Sequence, residues 1–117
     1  MSKRKRRRDS HSRLKTNSHH LLYQRRHWDK NGYALALRNK FIFEIPVSKH
    51  DDLHAAIHDI PLPDNDELER MYRVVANDNL TFSRPSDACE YLASISKFEP
   101  FVAVMKYQAE VLRGLKL

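Results

Sequence analysis

Two short stretches of the chain hold five of its seven histidines, and their spacing could do chemistry. In SKHDDLHAAIH, the residues His50, His54 and His58 recur every four positions, so on a helix they lie close to one face. Two imidazoles one turn apart on a rigid helix can bind a divalent metal. The second stretch is the pair His19-His20. This spacing leaves three interpretations open: a metal site, a catalytic site, or a solvated surface.

The segments around these histidines predict two strands and a helix. HHLLYQ, which starts at His19, is apolar and aromatic enough for a strand, and FIFEIPV, from Phe41, is a stronger candidate that closes at Pro46. The intervening RRHWDKNGYALALRN predicts a long connecting loop, with a helical turn over YALALR as an option. Ser48 is predicted to be the N-cap of a helix that ends by the IPLP segment.

Three amphipathic segments predict helices in the second half of the chain. The first begins after Asp64 or Asp66, the second starts at Ser86, and the third has Pro100 at its first helical position. Each segment carries an apolar stripe at helical spacing, which predicts its buried face. The predicted buried residues are Leu68, Met71, Tyr72 and Val75; Ala88, Tyr91, Leu92 and Ile95; and Val104, Met105, Tyr107, Val111, Leu112 and Leu115.

Positive charge is concentrated at the N-terminus. Residues 1–15 hold eight Lys or Arg and one Asp, a balance of +7, whereas the rest of the chain carries −1. A run such as KRKRRR repels itself and buries no apolar surface, so residues 1–17 are predicted to be a disordered basic tail. Residues 18–117 are predicted to form a single domain, with a first part over 18–60 and a helical part over 61–117. The tail suits a polyanion such as nucleic acid, and its candidate contacts are Arg4, Arg6, Arg7 and Arg8.

Other features of the sequence restrict the expected cellular compartment and the types of residue that could bind a metal. There is no 18-residue apolar span, and no apolar segment follows the charged N-terminus, so neither a membrane nor secretion is expected. We expect a cytoplasmic protein, and its basic tail could associate it with the nucleoid. The tail has two other interpretations, a solubilising segment or a nuclear import signal. Cys89 is the single cysteine, so a metal site must use His, carboxylate or amide ligands.

One ordered set of residues runs through the first half of the chain: His19-His20, Asn39, Pro46 and His50-x-x-x-His54. This order resembles the active-site layout of the HNH nucleases, also called ββα-metal or His-Me finger nucleases. The resemblance ends at His58 and leaves the tail and the C-terminal helices unmatched. It implies an α+β fold with a β-hairpin and a helix, and metal-dependent cleavage of nucleic acid. We favour DNA over RNA as the partner, although the sequence does not decide between them.

The resemblance also implies a role for each residue of the set. His20 corresponds to the general base that activates water, and Asn39 to a residue that braces the loop through backbone hydrogen bonds. Arg25 and Arg26 fall where such folds hold phosphate oxygens, for which arginine is suited. The ligands of one divalent ion would be His19, His50 and His54. Imidazole ligands suit zinc or a nickel-like ion better than magnesium, which prefers oxygen.

Two points about the histidines stay open from the sequence. Adjacent strand residues point to opposite faces, so His19 and His20 cannot both face one metal without a twist or bulge. His58 could replace His50 as the partner of His54, because the spacing is the same. We prefer His50, since His58 lies at the helix end.

A second function also stays open, that of a non-catalytic interaction protein of phage or mobile-element type. A degenerate relative of the nucleases could use the ββα scaffold for binding alone. Residues 59–117 hold seven basic and ten acidic residues, a net charge of −3, which disfavours general nucleic-acid binding. This acidic helical half could instead dock a partner protein.

Overall fold

The computed structural model describes residues 15–22, 31–58 and 60–117, which form an α+β fold. The described elements are β1 (Thr16–His20), α1 (Gly32–Lys40), β2 (Ile42–Pro46), α2 (Val47–His58), α3 (Asn65–Asp78), α4 (Pro85–Ile95) and α5 (Glu99–Gly114). A hairpin combined with helices is confirmed, and the structure adds α1 between the two strands. Within these ranges, no helix combines the length and apolarity needed to cross a membrane.

The hairpin formed by β1 and β2 buries one face and exposes the other. The strands are antiparallel, and His19 and Ile45 are fully buried on the inner face. On the outer face the Ser18 hydroxyl donates to the Glu44 carboxylate at 2.5 Å. Since successive strand residues alternate between faces, His20 belongs to the outer face and is half-buried. The expectation that the two histidines face opposite ways therefore holds.

The first strand begins earlier than predicted. It covers TNSHH rather than HHLLYQ, and its first two residues precede residue 18, where the domain was expected to begin. The chain bends at the two leucines that follow, Leu21 and Leu22, and their side chains are fully buried. The polar start of β1 is stabilised across the hairpin, because the hydroxyls of Thr16 and Ser18 both donate to Glu44. Hydrophobicity alone does not reveal such a cross-strand contact.

The connection between the strands contains a helix where a long loop was predicted. Asn31 caps α1, and its Oδ1 accepts the backbone N–H groups of Tyr33 at 2.8 Å and Ala34 at 3.2 Å. Ala34 and Leu37 are buried on the inner side of this helix. The Asn31-Gly32 pair is thus a helix start rather than a hairpin turn, and the optional turn over YALALR is part of α1.

Helix α2 follows β2 without a loop. It begins at Val47, so Ser48 lies inside the first turn and the prediction that Ser48 is the N-cap is wrong. Pro46 is the last residue of the strand, and Val47 is the first residue of the helix. Leu53 and Ile57 are buried, and α2 contacts both strands of the hairpin. The first half is therefore a ββα arrangement with α1 inserted between the strands.

The three C-terminal helices form largely as predicted. Asp64 caps α3 by accepting the Glu67 N–H at 2.8 Å, and α4 begins at Pro85, one residue before the predicted start. The predicted residues that are buried are Leu68, Met71, Val75, Ala88, Leu92, Met105 and Leu112. Tyr107 was predicted to be buried and is 46% exposed. The buried face of α5 is rotated away from it and runs through Phe101, Met105, Gln108 and Leu112.

Candidate metal centre

His19 is held in the core by a residue from the far end of the chain. Its side chain is fully buried, and its Nε2 lies 2.8 Å from Oε1 of Gln108 on α5. The amide nitrogen of Gln108 in turn donates to the carbonyl oxygen of Leu21 at 2.9 Å. The helix that completes this bond lies outside the hairpin and α2, so the site is built from both halves of the fold.

The second ring nitrogen of His19, Nδ1, is buried without a hydrogen-bond partner in the described part of the chain. Buried polar atoms are nearly always bonded, and an unsatisfied one costs about 1 to 3 kcal/mol. An imidazole nitrogen that carries no proton has a free lone pair, and a divalent transition metal binds through such a lone pair. This atom is the feature of the structure that fits the predicted metal.

Helix α2 brings two more histidines close to the ring of His19. The ring centroids of His19 and His50 are 5.4 Å apart in an edge-to-face contact, and those of His50 and His54 are 5.5 Å apart. The side chain of His50 is 21% exposed, and His54 is exposed. The three residues predicted as ligands therefore lie together, with His50 in contact with both others.

The three rings are not arranged around one point. Among residues 15–22, 31–58 and 60–117, no group of three or more His, Cys, Asp or Glu side chains is positioned to hold a metal ion. Zinc–nitrogen bonds of about 2.0 to 2.1 Å would require the imidazoles of α2 to turn toward His19.

Burial and repulsion between neighbouring rings favour the neutral forms of His19 and His54. The pKa of His19 is lowered to about 4, chiefly by burial; the bond with Gln108 opposes this shift, and repulsion by His50, His54 and His20 adds to it. Burial, followed by repulsion from His50 and His58, also lowers the pKa of His54. Neutral imidazole is the form that binds metal, so no proton has to be displaced from either residue near pH 7.

His20, the predicted general base, lies on the outer face of β1 beside an arginine. Burial lowers its pKa, and the positive charge of Arg38 lowers it further, as do His50 and His54. A neutral imidazole at neutral pH can accept a proton, as a general base must. The sequence analysis did not single out Arg38, because its segment was expected to be a loop; in the structure it comes from α1.

The remaining candidate residues are either exposed on α1 and α2 or outside the described residues. Asn39 is exposed in the last turn of α1, where its Oδ1 accepts a long hydrogen bond of 3.4 Å from Arg38. Its role as a brace of a loop stays a prediction. His58 is exposed at the end of α2. The predicted phosphate contacts that lie outside the described residues are Arg4, Arg6, Arg7, Arg8, Arg25 and Arg26.

Gln108 was not among the residues predicted from the sequence, although one signal points to it. On α5 the buried stripe follows the helical spacing of Phe101, Met105, Gln108 and Leu112, and Gln108 is its one polar member. A polar side chain on an apolar stripe needs a buried polar partner. The buried stripe predicted for this helix ran through Tyr107 instead, so it did not include Gln108.

The fold and the site define an α+β protein with a row of histidines between a hairpin and a helix. Comparison with known proteins finds no protein-family model, no curated protein and no solved structure that matches this chain. The resemblance to HNH nucleases therefore depends on the chain's own residues and stays a prediction.

Proposed function

We propose that this protein is a metal-dependent phosphodiester hydrolase of the HNH type that acts on nucleic acid. The observation that carries the proposal is the buried, unbonded Nδ1 of His19, on a ring that contacts His50, which in turn contacts His54, where a hairpin meets a helix. Burying such an atom is unfavourable unless a partner binds it. A divalent ion, zinc or nickel-like rather than magnesium, is the partner that three imidazoles suit best.

Each residue of the site would have a separate role in hydrolysis. His19, His50 and His54 would hold the ion, which supplies stabilisation of the charge that develops on the phosphate and on the leaving oxygen. His20 would take the proton from a water molecule whose oxygen bonds to phosphorus while the ester P–O bond breaks. The leaving oxygen then takes a proton from solvent. Arg38, whose charge acts on His20, would bind a phosphate oxygen of the substrate.

Removing single histidines from α2 tests the metal site. His50→Ala and His54→Ala are each expected to lose stoichiometric zinc and the thermal stabilisation that zinc provides, because bound ligand adds to folding free energy. His58→Ala, an exposed histidine of the same helix, is the matched control and should keep both. The measurement is metal content after dialysis, together with the melting temperature of tag-free protein with and without zinc. Equal losses in all three variants, or in none, would contradict the ligand assignment.

Deleting the basic N-terminus tests how nucleic acid is held. Residues 1–14 can be removed without touching Lys15, whose carbonyl oxygen accepts the Val47 N–H at 3.2 Å. The deletion takes away seven Lys or Arg residues and one Asp, so DNA affinity at low salt should fall at least about tenfold and its salt slope should become shallower. Fluorescence anisotropy over a salt series measures both. Unchanged affinity in the shortened chain would show that another surface binds DNA.

A second candidate function, the binding of a partner protein without catalysis, is favoured by a groove between α4 and α5. Tyr107, 46% exposed, lines this groove together with Ala93 and Val102, in the acidic half of the chain. A plasmid-nicking assay on tag-free protein with zinc, nickel, manganese and magnesium separates the two functions. Cleavage supports the hydrolase, whereas the absence of both cleavage and bound metal supports the binding protein.

A further inference from the structure

The orientation of the Gln108 amide is determined by its neighbours. Its nitrogen lies 2.9 Å from the carbonyl oxygen of Leu21 and 3.7 Å from the sulfur of Met105, and both of these atoms are acceptors. Rotating the amide by half a turn would place its oxygen against the Leu21 carbonyl oxygen, so two acceptors would face each other. The amide oxygen must therefore be the atom that faces His19.

This orientation decides which nitrogen of His19 carries the proton. An amide oxygen only accepts, so the 2.8 Å contact requires a proton on Nε2 of His19. The alternative tautomer would set an unprotonated Nε2 against the amide oxygen. It would also bury an N–H at Nδ1, which has no acceptor in the described part of the chain. The surroundings of both ring nitrogens therefore favour the tautomer in which Nε2 carries the proton and Nδ1 carries the lone pair.

We propose that Gln108 is a positioning residue, which locks His19 in the Nε2–H tautomer and presents its Nδ1 as the atom that binds a divalent cation. The presence of the cation rests on the proposed function. The tautomer of His19 does not depend on it. Ligand histidines generally donate their other ring N–H to a carboxylate, a carbonyl or water, which orients the ring and raises its basicity. Here a neutral amide from α5 does this, 89 residues away in sequence.

The choice of an amide has a consequence that a structural role alone would not produce. In Gln108→Glu the buried carboxyl group is expected to stay protonated, because burial disfavours its charge. Its O–H can donate to the Leu21 carbonyl oxygen, and its own carbonyl oxygen can accept the Nε2–H of His19. Gln108→Glu should therefore keep the tautomer and bind cations about as tightly as the parent protein, even if the buried acid lowers its thermal stability.

The tautomer is tested first in metal-free protein by long-range ¹H–¹⁵N NMR of histidine rings, with the His19 signals assigned by their loss in His19→Asn. The expected spectrum has a protonated Nε2 and an unprotonated Nδ1 at neutral pH. Addition of zinc chloride should shift Nδ1 and leave Nε2 protonated. A protonated Nδ1, or rapid averaging of both tautomers, would overturn the proposal.

Cation affinity is then measured by titration with cobalt chloride, followed by visible absorption, and with zinc in competition. Gln108→Met keeps the volume of the side chain but cannot accept the Nε2–H, so its affinity should fall about 10- to 100-fold, as for other outer-shell partners. Leu112→Val, one turn further along the same buried face of α5, is the control for lost packing and should bind like the parent. Equal affinity in Gln108→Met and the parent would overturn the proposal, as would a loss in Gln108→Glu as large as that in Gln108→Met.

The failure of this proposal and that of the hydrolase can be told apart. Cation binding that depends on Gln108, without cleavage of any nucleic acid, supports the positioning role and removes the hydrolase. Cleavage that is unaffected by Gln108→Met, with a protonated Nδ1 on His19, keeps the hydrolase and removes the positioning role. A parent protein that binds neither cobalt nor zinc overturns both.

Discussion

His20→Ala is expected to keep its fold, its metal and its affinity for DNA while cutting DNA at least about a hundredfold more slowly than the parent protein. General-base assistance typically contributes about 10² to 10⁴ in rate, so even the lower end is measurable. The structure supports separating this residue from the ligands, because His20 lies on the outer face of β1 and His19 is buried on the inner face. The replaced imidazole should therefore take away a proton acceptor and leave the donors to the metal in place.

The measurement combines single-turnover cleavage rates with metal content, melting temperature and the salt slope of DNA binding for the same preparation. His58→Ala is the control, since it removes an exposed imidazole from the end of α2 and should cut at the parent rate. If His20→Ala loses its metal, His19 and His20 have exchanged the roles assigned to them. If His20→Ala cuts at the parent rate, His20 is not the base.

Acid is expected to destabilise the metal-free protein well before its carboxylates are protonated. Burial lowers the pKa of His19 to about 4 from an ordinary value of 6.5, so between these values the unfolded chain binds a proton that the folded chain does not. The free energy of unfolding should be at its full value above pH 6.5 and should fall as pH decreases toward 4. The difference is about 3 kcal/mol for this residue. The lowered pKa values of His20 and His54 act in the same direction.

Urea unfolding at several pH values from 7.5 to 4.5, in the presence of EDTA, measures this dependence. The lowered pKa of Glu67, caused first by its hydrogen bond with Arg70, makes a contribution that is lost only below its ordinary value of 4.5. It therefore leaves most of the histidine window unaffected. His19→Phe should have a much flatter profile between pH 6.5 and 4.5, whereas His58→Ala should follow the parent. A parent profile that is flat over this range would show that His19 takes up a proton in the folded protein.

The sequence by itself determined the features that depend on local spacing. The four-residue interval places His50 and His54 together on α2, and the alternation of a strand sends His19 and His20 to opposite faces, in any fold that forms these elements. Helix caps such as Asp64 act within one turn, so they can be recognised from a few neighbouring residues. These local rules also predicted the order of a hairpin, a helix and three further helices.

Only the tertiary structure decided where the elements begin and what completes the site. Polar residues start β1 because their hydroxyls bind Glu44 across the hairpin, and Ser48 lies inside α2 because Pro46 leads into the helix without a loop. The bond between His19 and Gln108 joins residues 89 positions apart. No local pattern encodes such a contact, since it exists only when α5 packs against the end of β1. The buried Nδ1 of His19, on which the proposed chemistry depends, is therefore a property of the packed fold.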